Sequence, residues 1–323
     1  MATHLRPIER LRNPSQQDFD NVILLDRPVI IEGGVQGWPA FSHWTPHYLA
    51  QKLGDLRIRI KTSSTHIHPD LESARVERSR PFIVRTARRL RKRLASGGHD
   101  GVQMRFDEFL AVLAGPDGIH YLAGADELAI LFNGEWNETL AAVRADYELP
   151  RYFPESRLER VGLWVSGKGV RSHLHYDGNF LHNLNAQVTG SKHVQLYSPA
   201  QMSKIYPYLY TNQEPSVFSQ VNVENVDERR FPRFAELEGY EAIVNAGDLL
   251  LIPAFWYHTF KHLGDFNTNV NFWWRAEFVR LTPVSAREYL GGLTLELVSR
   301  SRIPPLWLVG WFRKLERHLT ESR

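Results

Sequence analysis

The chain has no cysteine among its 323 residues. That absence excludes a disulfide framework, a thiolate metal site, an iron–sulfur cluster and a cysteine nucleophile together. Long apolar runs are also missing, and no stretch reaches the length of a membrane-spanning helix uninterrupted. The opening residues, Met1-Ala2-Thr3-His4-Leu5-Arg6-Pro7-Ile8-Glu9-Arg10, lack the apolar core of a signal peptide, so a cytoplasmic protein is expected. There is no glycine-rich phosphate loop and no internal repeat. Excess charge is small, at a formal +3 with a pI of about 9.0. Basic charge is therefore a local feature and not a property of the whole surface. It gathers in Arg85-Thr86-Ala87-Arg88-Arg89-Leu90-Arg91-Lys92-Arg93-Leu94, ahead of Ser96-Gly97-Gly98. A solvated helix face is the first reading of that run; an RNA, acidic-protein or anionic-lipid contact is the alternative.

What is present is enough for a sizeable core: 43% hydrophobic and 12% aromatic residues. That suits one large or two modest domains. Within it, a metal-ligand set stands out: His175-x-Asp177, then His258 in Ile252-Pro253-Ala254-Phe255-Trp256-Tyr257-His258. Two histidines and a carboxylate can occupy one face of octahedral Fe(II), leaving the opposite face open for a co-substrate and O₂. Residues i and i+2 of a β-strand point the same way, so His175 and Asp177 can reach one ion from a strand. His-x-Asp alone recurs by chance; its neighbours strengthen it. Asn183-Leu184-Asn185-Ala186-Gln187 reads as a strand, Thr189-Gly190-Ser191 as a turn, and Lys192-His193-Val194-Gln195-Leu196-Tyr197 as its return. Ala246-Gly247-Asp248 turns into Leu249-Leu250-Leu251-Ile252-Pro253. A final strand, Asn267 to Trp274, carries Asn267, Asn269, Asn271 and Trp273 at alternate positions. Asparagines on one strand face need hydrogen-bond partners if buried. A polar pocket would supply them, and a wet outer face is the alternative.

These segments resemble the cupin-like JmjC hydroxylases. The likeness rests on Gly162 to Asp177, the Asn183…Gln187…Gly190-x-Lys192 series, Gly247-Asp248…Trp256-Tyr257-His258 and Asn271-Phe272-Trp273. It extends loosely to Arg27-Pro28-Val29-Ile30-Ile31-Glu32-Gly33 and Trp38-Pro39. The pattern is most similar to the family's asparaginyl hydroxylase, factor inhibiting HIF. The resemblance implies an Fe(II)- and 2-oxoglutarate-dependent oxygenase on a double-stranded β-helix (jelly-roll) core. It implies His175, Asp177 and His258 as iron ligands. It further implies Lys192 on the distal carboxylate of 2-oxoglutarate, Ser172 and Tyr121 as further contacts, and Asn183 and Asn271 lining the co-substrate pocket. The loop Gly178-Asn179-Phe180-Leu181-His182 is longer than in the asparaginyl hydroxylase, which bears on the substrate and not on iron. A protein or peptide side chain is the favoured substrate, while a small metabolite, a lipid-linked sugar or an RNA base stays open. So do a demethylation outcome and a metal-binding cupin without oxygenase activity.

The mainly β core is expected at 121–280, after an α/β extension at 1–120 and before a helical region at 281–323. In the extension, Thr45 caps a helix opened by Pro46. Arg57-Ile58-Arg59-Ile60-Lys61 alternates as a half-buried strand, and Phe106 to Leu113 has helical spacing. At the C-terminus, Leu308, Trp311, Phe312, Leu315 and Leu319 share a helical face opposite Arg313, Lys314 and Arg317. Such an apolar stripe wants cover; the resemblance implies a homodimer contact, since related hydroxylases pair through C-terminal helices, with packing on the chain's own core and interfacial membrane contact as the alternatives. His173, His182, His193 and His262 are read as polar bystanders, and Trp256 and Trp273 as packing walls.

Overall fold

A computed structural model of the protein describes residues 4–62, 101–115, 121–123, 128–132, 135–153, 155–178, 181–207 and 218–276. The basic run at 85–93 and the apolar stripe at 308–319 lie outside the described residues.

Fifteen strands are described. The first eight are β1 (His4–Pro7), β2 (Glu9–Arg12), β3 (Val29–Glu32), β4 (Arg57–Thr62), β5 (Gly101–Arg105), β6 (Tyr121–Ala123), β7 (Ala129–Phe132) and β8 (Glu135–Trp136). The remainder are β9 (Leu158–Gly167), β10 (Leu181–Thr189), β11 (Ser191–Tyr197), β12 (Glu238–Asn245), β13 (Leu249–Ile252), β14 (Tyr257–His262) and β15 (Phe266–Arg275). They form two sheets. The minor sheet runs β1-β12-β11-β14; the major sheet runs β2-β3-β13-β10-β15-β9-β6-β4-β5, with β7 also on β9 and β8 on β7. This is the mainly β, jelly-roll architecture expected, with helices added at its N-terminal side.

The helices start where local chemistry dictates. In α1 (Gln16–Leu24) the Ser15 hydroxyl accepts from the Asp18 N–H while the Asp18 carboxylate accepts from the Ser15 N–H, a reciprocal cap. In α2 (Pro39–His43) and α3 (Pro46–Leu53) a proline opens the helix, and the Thr45 side chain accepts from the Tyr48 N–H as the sequence predicts. α4 (Phe106–Leu113) buries Phe106, Phe109, Leu110 and Leu113 on one face. These helices cover the outer face of the major sheet.

Strand alternation then decides what faces inward. On β10 and β15 the even positions, Leu184, Ala186, Val270, Phe272 and Trp274, join the helix-covered core with Val161, Leu163 and Val165 of β9. The odd positions, Asn183, Asn185, Gln187, Asn269, Asn271 and Trp273, face the space between the sheets, and all are buried. The wet-face alternative for these asparagines is thus excluded. From the minor sheet, Lys192, Val194 and Leu196 of β11 alternate inward, and Val194 and Leu196 meet Leu250 and Ile252 in a second apolar cluster.

One expectation needs correction. β10 and β11 flank the Gly190 turn but do not pair with each other. β10 pairs with β13 and β15, whereas β11 pairs with β12 and β14. The turn carries the chain from one sheet to the other, placing Asn183–Asn185 and Lys192 on opposite walls of one interior.

Candidate metal centre

His258 sits on β14 at the inner face of the minor sheet, 1% exposed. Its Nδ1 meets the Trp256 carbonyl at 3.0 Å, and His175 Nδ1 meets the His173 carbonyl at 2.7 Å. A carbonyl only accepts, so both Nδ1 atoms carry protons, and Nε2 is the nitrogen through which each ring would reach a metal. The two rings lie 4.4 Å apart, and Asp177 Oδ1 is 3.9 Å from His258 Nε2. One ligand atom from each of His175, Asp177 and His258 falls within 4.8 Å of the others. Two imidazoles and a carboxylate with an open side suit Fe(II) or a similar divalent transition ion. Burial pushes the Asp177 carboxyl up, but His258, His175, the Trp273 indole and the Asn183 amide outweigh it and hold it below the usual range.

The backbone that delivers His175 differs from the regular strand expected. Within 171–178 only Arg171 and His175 form isolated bridges, to Lys261 and His258, and His175 also bridges Phe218. Side chains interrupt the ladder: Ser172 Oγ accepts the Phe260 N–H at 2.8 Å, and Thr259 Oγ1 donates to the Ser172 carbonyl at 2.7 Å. The arm is still stitched to β14, with the His175 N–H donating to the His258 carbonyl and the reverse, at 3.0 and 2.6 Å. Asp177 gains its position from the other sheet. Its Oδ2 accepts from Asn183 Nδ2 at 2.7 Å and from Trp273 Nε1 at 3.0 Å.

Deeper in the interior lies Lys192, 1% exposed. Its Nζ donates to Asn185 Oδ1 across the gap between the sheets at 2.6 Å. Burial pulls its pKa well down. Asn185 Nδ2 in turn donates to Asn271 Oδ1 at 2.9 Å, and Asn269 Nδ2 donates to the same oxygen at 2.5 Å. His262, the cross-strand partner of Lys192, is held neutral by burial and by the Lys192 charge, with its pKa lowered to about 3. Between the two ends stands Phe260, its ring 5.2 Å from that of His258 and 4.6 Å below Lys192 Nζ.

Of the residues singled out from sequence, His175, Asp177 and His258 come together, with Asn183 beside them and Asn271 beside the lysine. Ser172 lies on the arm against β14. Tyr121 falls on β6, whose side chains are outside the described residues. Three of the four bystander histidines take structural partners. His173 Nε2 bonds the Ser219 carbonyl at 2.7 Å, His182 Nδ1 accepts the Ala254 N–H at 3.1 Å, and His193 pairs with Glu241 at 2.9 Å. Trp256 is a packing wall as expected, in the cluster with Leu250 and Ile252. Trp273 is more than that, because its N–H reaches a ligand carboxylate. Asn185 and Phe260 were missed, although each sits two residues from a flagged position on the same strand face. A surface cavity lined by Trp38, Arg151 and Tyr152 lies on the helix-covered side and contains none of these groups.

The model of the family described as Cupin-like domain matches residues 14–280. The chain belongs to the cupin-like family. Among the relatives of this cupin-like protein is lysine-specific demethylase 8 of Xenopus tropicalis, 28% identical over 275 residues (83% of this chain, 52% of that protein). Human tRNA wybutosine-synthesizing protein 5 is 28% identical over 275 residues (85% of this chain, 80% of that one). Lysine-specific demethylase JMJ31 of Arabidopsis thaliana is 27% identical over 323 residues (95% and 56%). The chain thus spans about half the length of the two demethylase relatives. Among the described residues no helix is long and apolar enough to cross a membrane.

Proposed function

We propose that this cupin-like protein is an Fe(II)- and 2-oxoglutarate-dependent oxygenase that hydroxylates a C–H bond, with a protein or peptide side chain favoured as substrate. The observation that carries this reading is Lys192. It is a buried amine on the same inner face as His258, its ammonium form disfavoured by that burial, and among the described residues it has a neutral amide and no carboxylate as its partner. An ammonium left so is costly, and a bound carboxylate relieves the cost. In this reading a dicarboxylate is held with one end at Lys192 and the other at the His175–Asp177–His258 triangle, alongside the Phe260 ring that lies between them.

Iron held by that triangle would supply the redox chemistry that couples loss of CO₂ from 2-oxoglutarate to reduction of O₂, one oxygen atom going to succinate and the other into the substrate C–H bond. The chain's own residues set the geometry. His175 and His258 are oriented through their Nδ1 bonds, and Asp177 through its Oδ2 bonds. Asn271 Oδ1 is taken by two amide donors, so its Nδ2 is the atom left to meet a carboxylate. Ser172 and Tyr121 are proposed as further co-substrate contacts. Phe260 and Trp256 keep water from the interior. The stripe at 308–319 is proposed as a homodimer contact.

Turnover of 2-oxoglutarate to succinate should require Fe(II) and vanish in His175→Ala and Asp177→Ala while far-ultraviolet circular dichroism is unchanged. Near-normal turnover in either variant with iron still bound would overturn the assignment. The names of the demethylase relatives favour a second reading in which the oxidised carbon is an N-methyl group. Formaldehyde release would distinguish it from a stable product heavier by one oxygen atom, sought by mass profiling of treated lysate.

A further inference from the structure

A carboxylate offers a metal two equivalent oxygens, and nothing in His-x-Asp decides whether one or both will bind. Here the two oxygens of Asp177 stand in different surroundings. Oδ2 is taken twice, by Asn183 Nδ2 at 2.7 Å and Trp273 Nε1 at 3.0 Å. Oδ1 is the oxygen turned to His258 Nε2, at 3.9 Å. Both donors come from the major sheet and face each other across it, since Asn183 and Trp273 are direct register partners on β10 and β15. Both are buried, at 1% and 4% exposure. The indole is itself fixed against Leu181 and Trp164, with the Arg160 guanidinium 5.1 Å from its ring. Asp177 has no regular strand beneath it, so these two bonds are what hold the carboxyl plane.

We infer that Trp273 and Asn183 are positioning residues that clamp Asp177 Oδ2 and leave Oδ1 as the one oxygen that Asp177 would offer a metal. The inference rests on the metal-site reading above. A carboxylate freed from the clamp can rotate and close on the ion with both oxygens, filling a position that a co-substrate or O₂ needs. An indole N–H is suited to the task because it donates and cannot itself coordinate the ion. Outer partners of this kind typically carry a 10- to 100-fold effect on metal affinity, so about tenfold is expected for each donor removed.

Co(II) is the probe, because its visible absorption reports coordination number and its affinity is measured without turnover. Trp273→Phe keeps an aromatic ring and removes the donor with some ring volume; Asn183→Leu removes the second donor at similar volume. Each variant should melt within a few degrees of wild type in the metal-free state, bind Co(II) about tenfold more weakly, and change the intensity of its visible band. If Trp273→Phe does not fold, Asn183→Leu tests the same oxygen from the other side. Unchanged affinity and spectrum in the folded variants would overturn the clamp and leave the metal site standing. A wild-type protein that binds no Co(II) would overturn both.

Discussion

Lysine carries its charge on a flexible stem, and burying it to 1% exposure with an amide as its partner is a poor use of a cation unless an anion arrives. This is the residue-scale reason for choosing a dicarboxylate over a neutral ligand. Loss of the cation opposite a desolvated carboxylate costs about 3 kcal/mol, on the order of 100-fold in affinity. Lys192→Ala should therefore raise the apparent KM for 2-oxoglutarate by roughly that factor, with a smaller change in Fe(II) affinity. An unchanged KM in steady-state assays would end the anchor role and revive the cupin without oxygenase activity. At this scale much of the site was legible. His175, Asp177 and His258 announce themselves by chemistry and spacing, whereas Lys192 is singled out through the family resemblance, since a lysine just past a turn is more often solvated. Asn185 and Trp273 were harder, because their roles depend on which residue stands across the gap between sheets. Asn183 also proved to serve the carboxylate ligand directly.

Turns decide which wall of the interior a strand joins, and the Gly190 turn is the one on which this site depends. Gly190 adopts φ +70°, and a Cβ there would meet the Phe266 carbonyl at 2.6 Å as well as Asn267 Oδ1. The same Asn267 oxygen accepts the Ser191 N–H at 3.2 Å, while its Nδ2 donates to the Gly264 carbonyl at 2.6 Å. Asn267 is therefore a pin between two turns and not a pocket residue, although it shares alternation with Asn269 and Asn271. Gly190→Ala should cost about 2 kcal/mol or more, from the left-handed backbone and the crowding together. It should also raise the KM for 2-oxoglutarate, since Lys192 follows two residues later. Gly37, where a Cβ meets nothing within 4 Å, is the control, and Gly37→Ala should be near neutral in urea unfolding. Equal stability of the two variants would refute the account. Local signals read these elements well: the Thr45 cap, the Ile58–Ile60 alternation and the face of α4 all follow from short-range chemistry. Strand pairing does not, because the parallel partnership of His4 with Glu238 joins residues that no local pattern connects.

At the scale of the whole molecule, imidazoles buried on both sides of the major sheet make stability depend on pH, His262 between the sheets beside Lys192 and His182 on the helix-covered face against Trp274. His182 and His262 are both neutral in the fold, their pKa lowered to about 3, His182 by burial and the Arg157 charge, His262 by burial and the Lys192 charge. His182 also accepts the Ala254 N–H, tying β10 to the turn before β14. An unfolded chain takes up a proton at each histidine near pH 6.5, whereas the folded chain waits until about pH 3. Across that window the unfolded state binds more protons, so acid favours it. Stability is fully present above pH 6.5 and is lost as the pH falls toward 3, by about 1.4 kcal/mol per pH unit for each histidine. Lowered pKa at Asp177 acts in the same direction at more acid pH. Urea midpoints of the metal-free protein should therefore fall steadily between pH 6.5 and 5. His182→Gln, which keeps an acceptor for the Ala254 N–H and removes the titrating group, should flatten that slope by about half. A midpoint that stays level from pH 7 to 5 would show that water reaches these imidazoles, and the dry interior on which the Lys192 argument depends would fall with it.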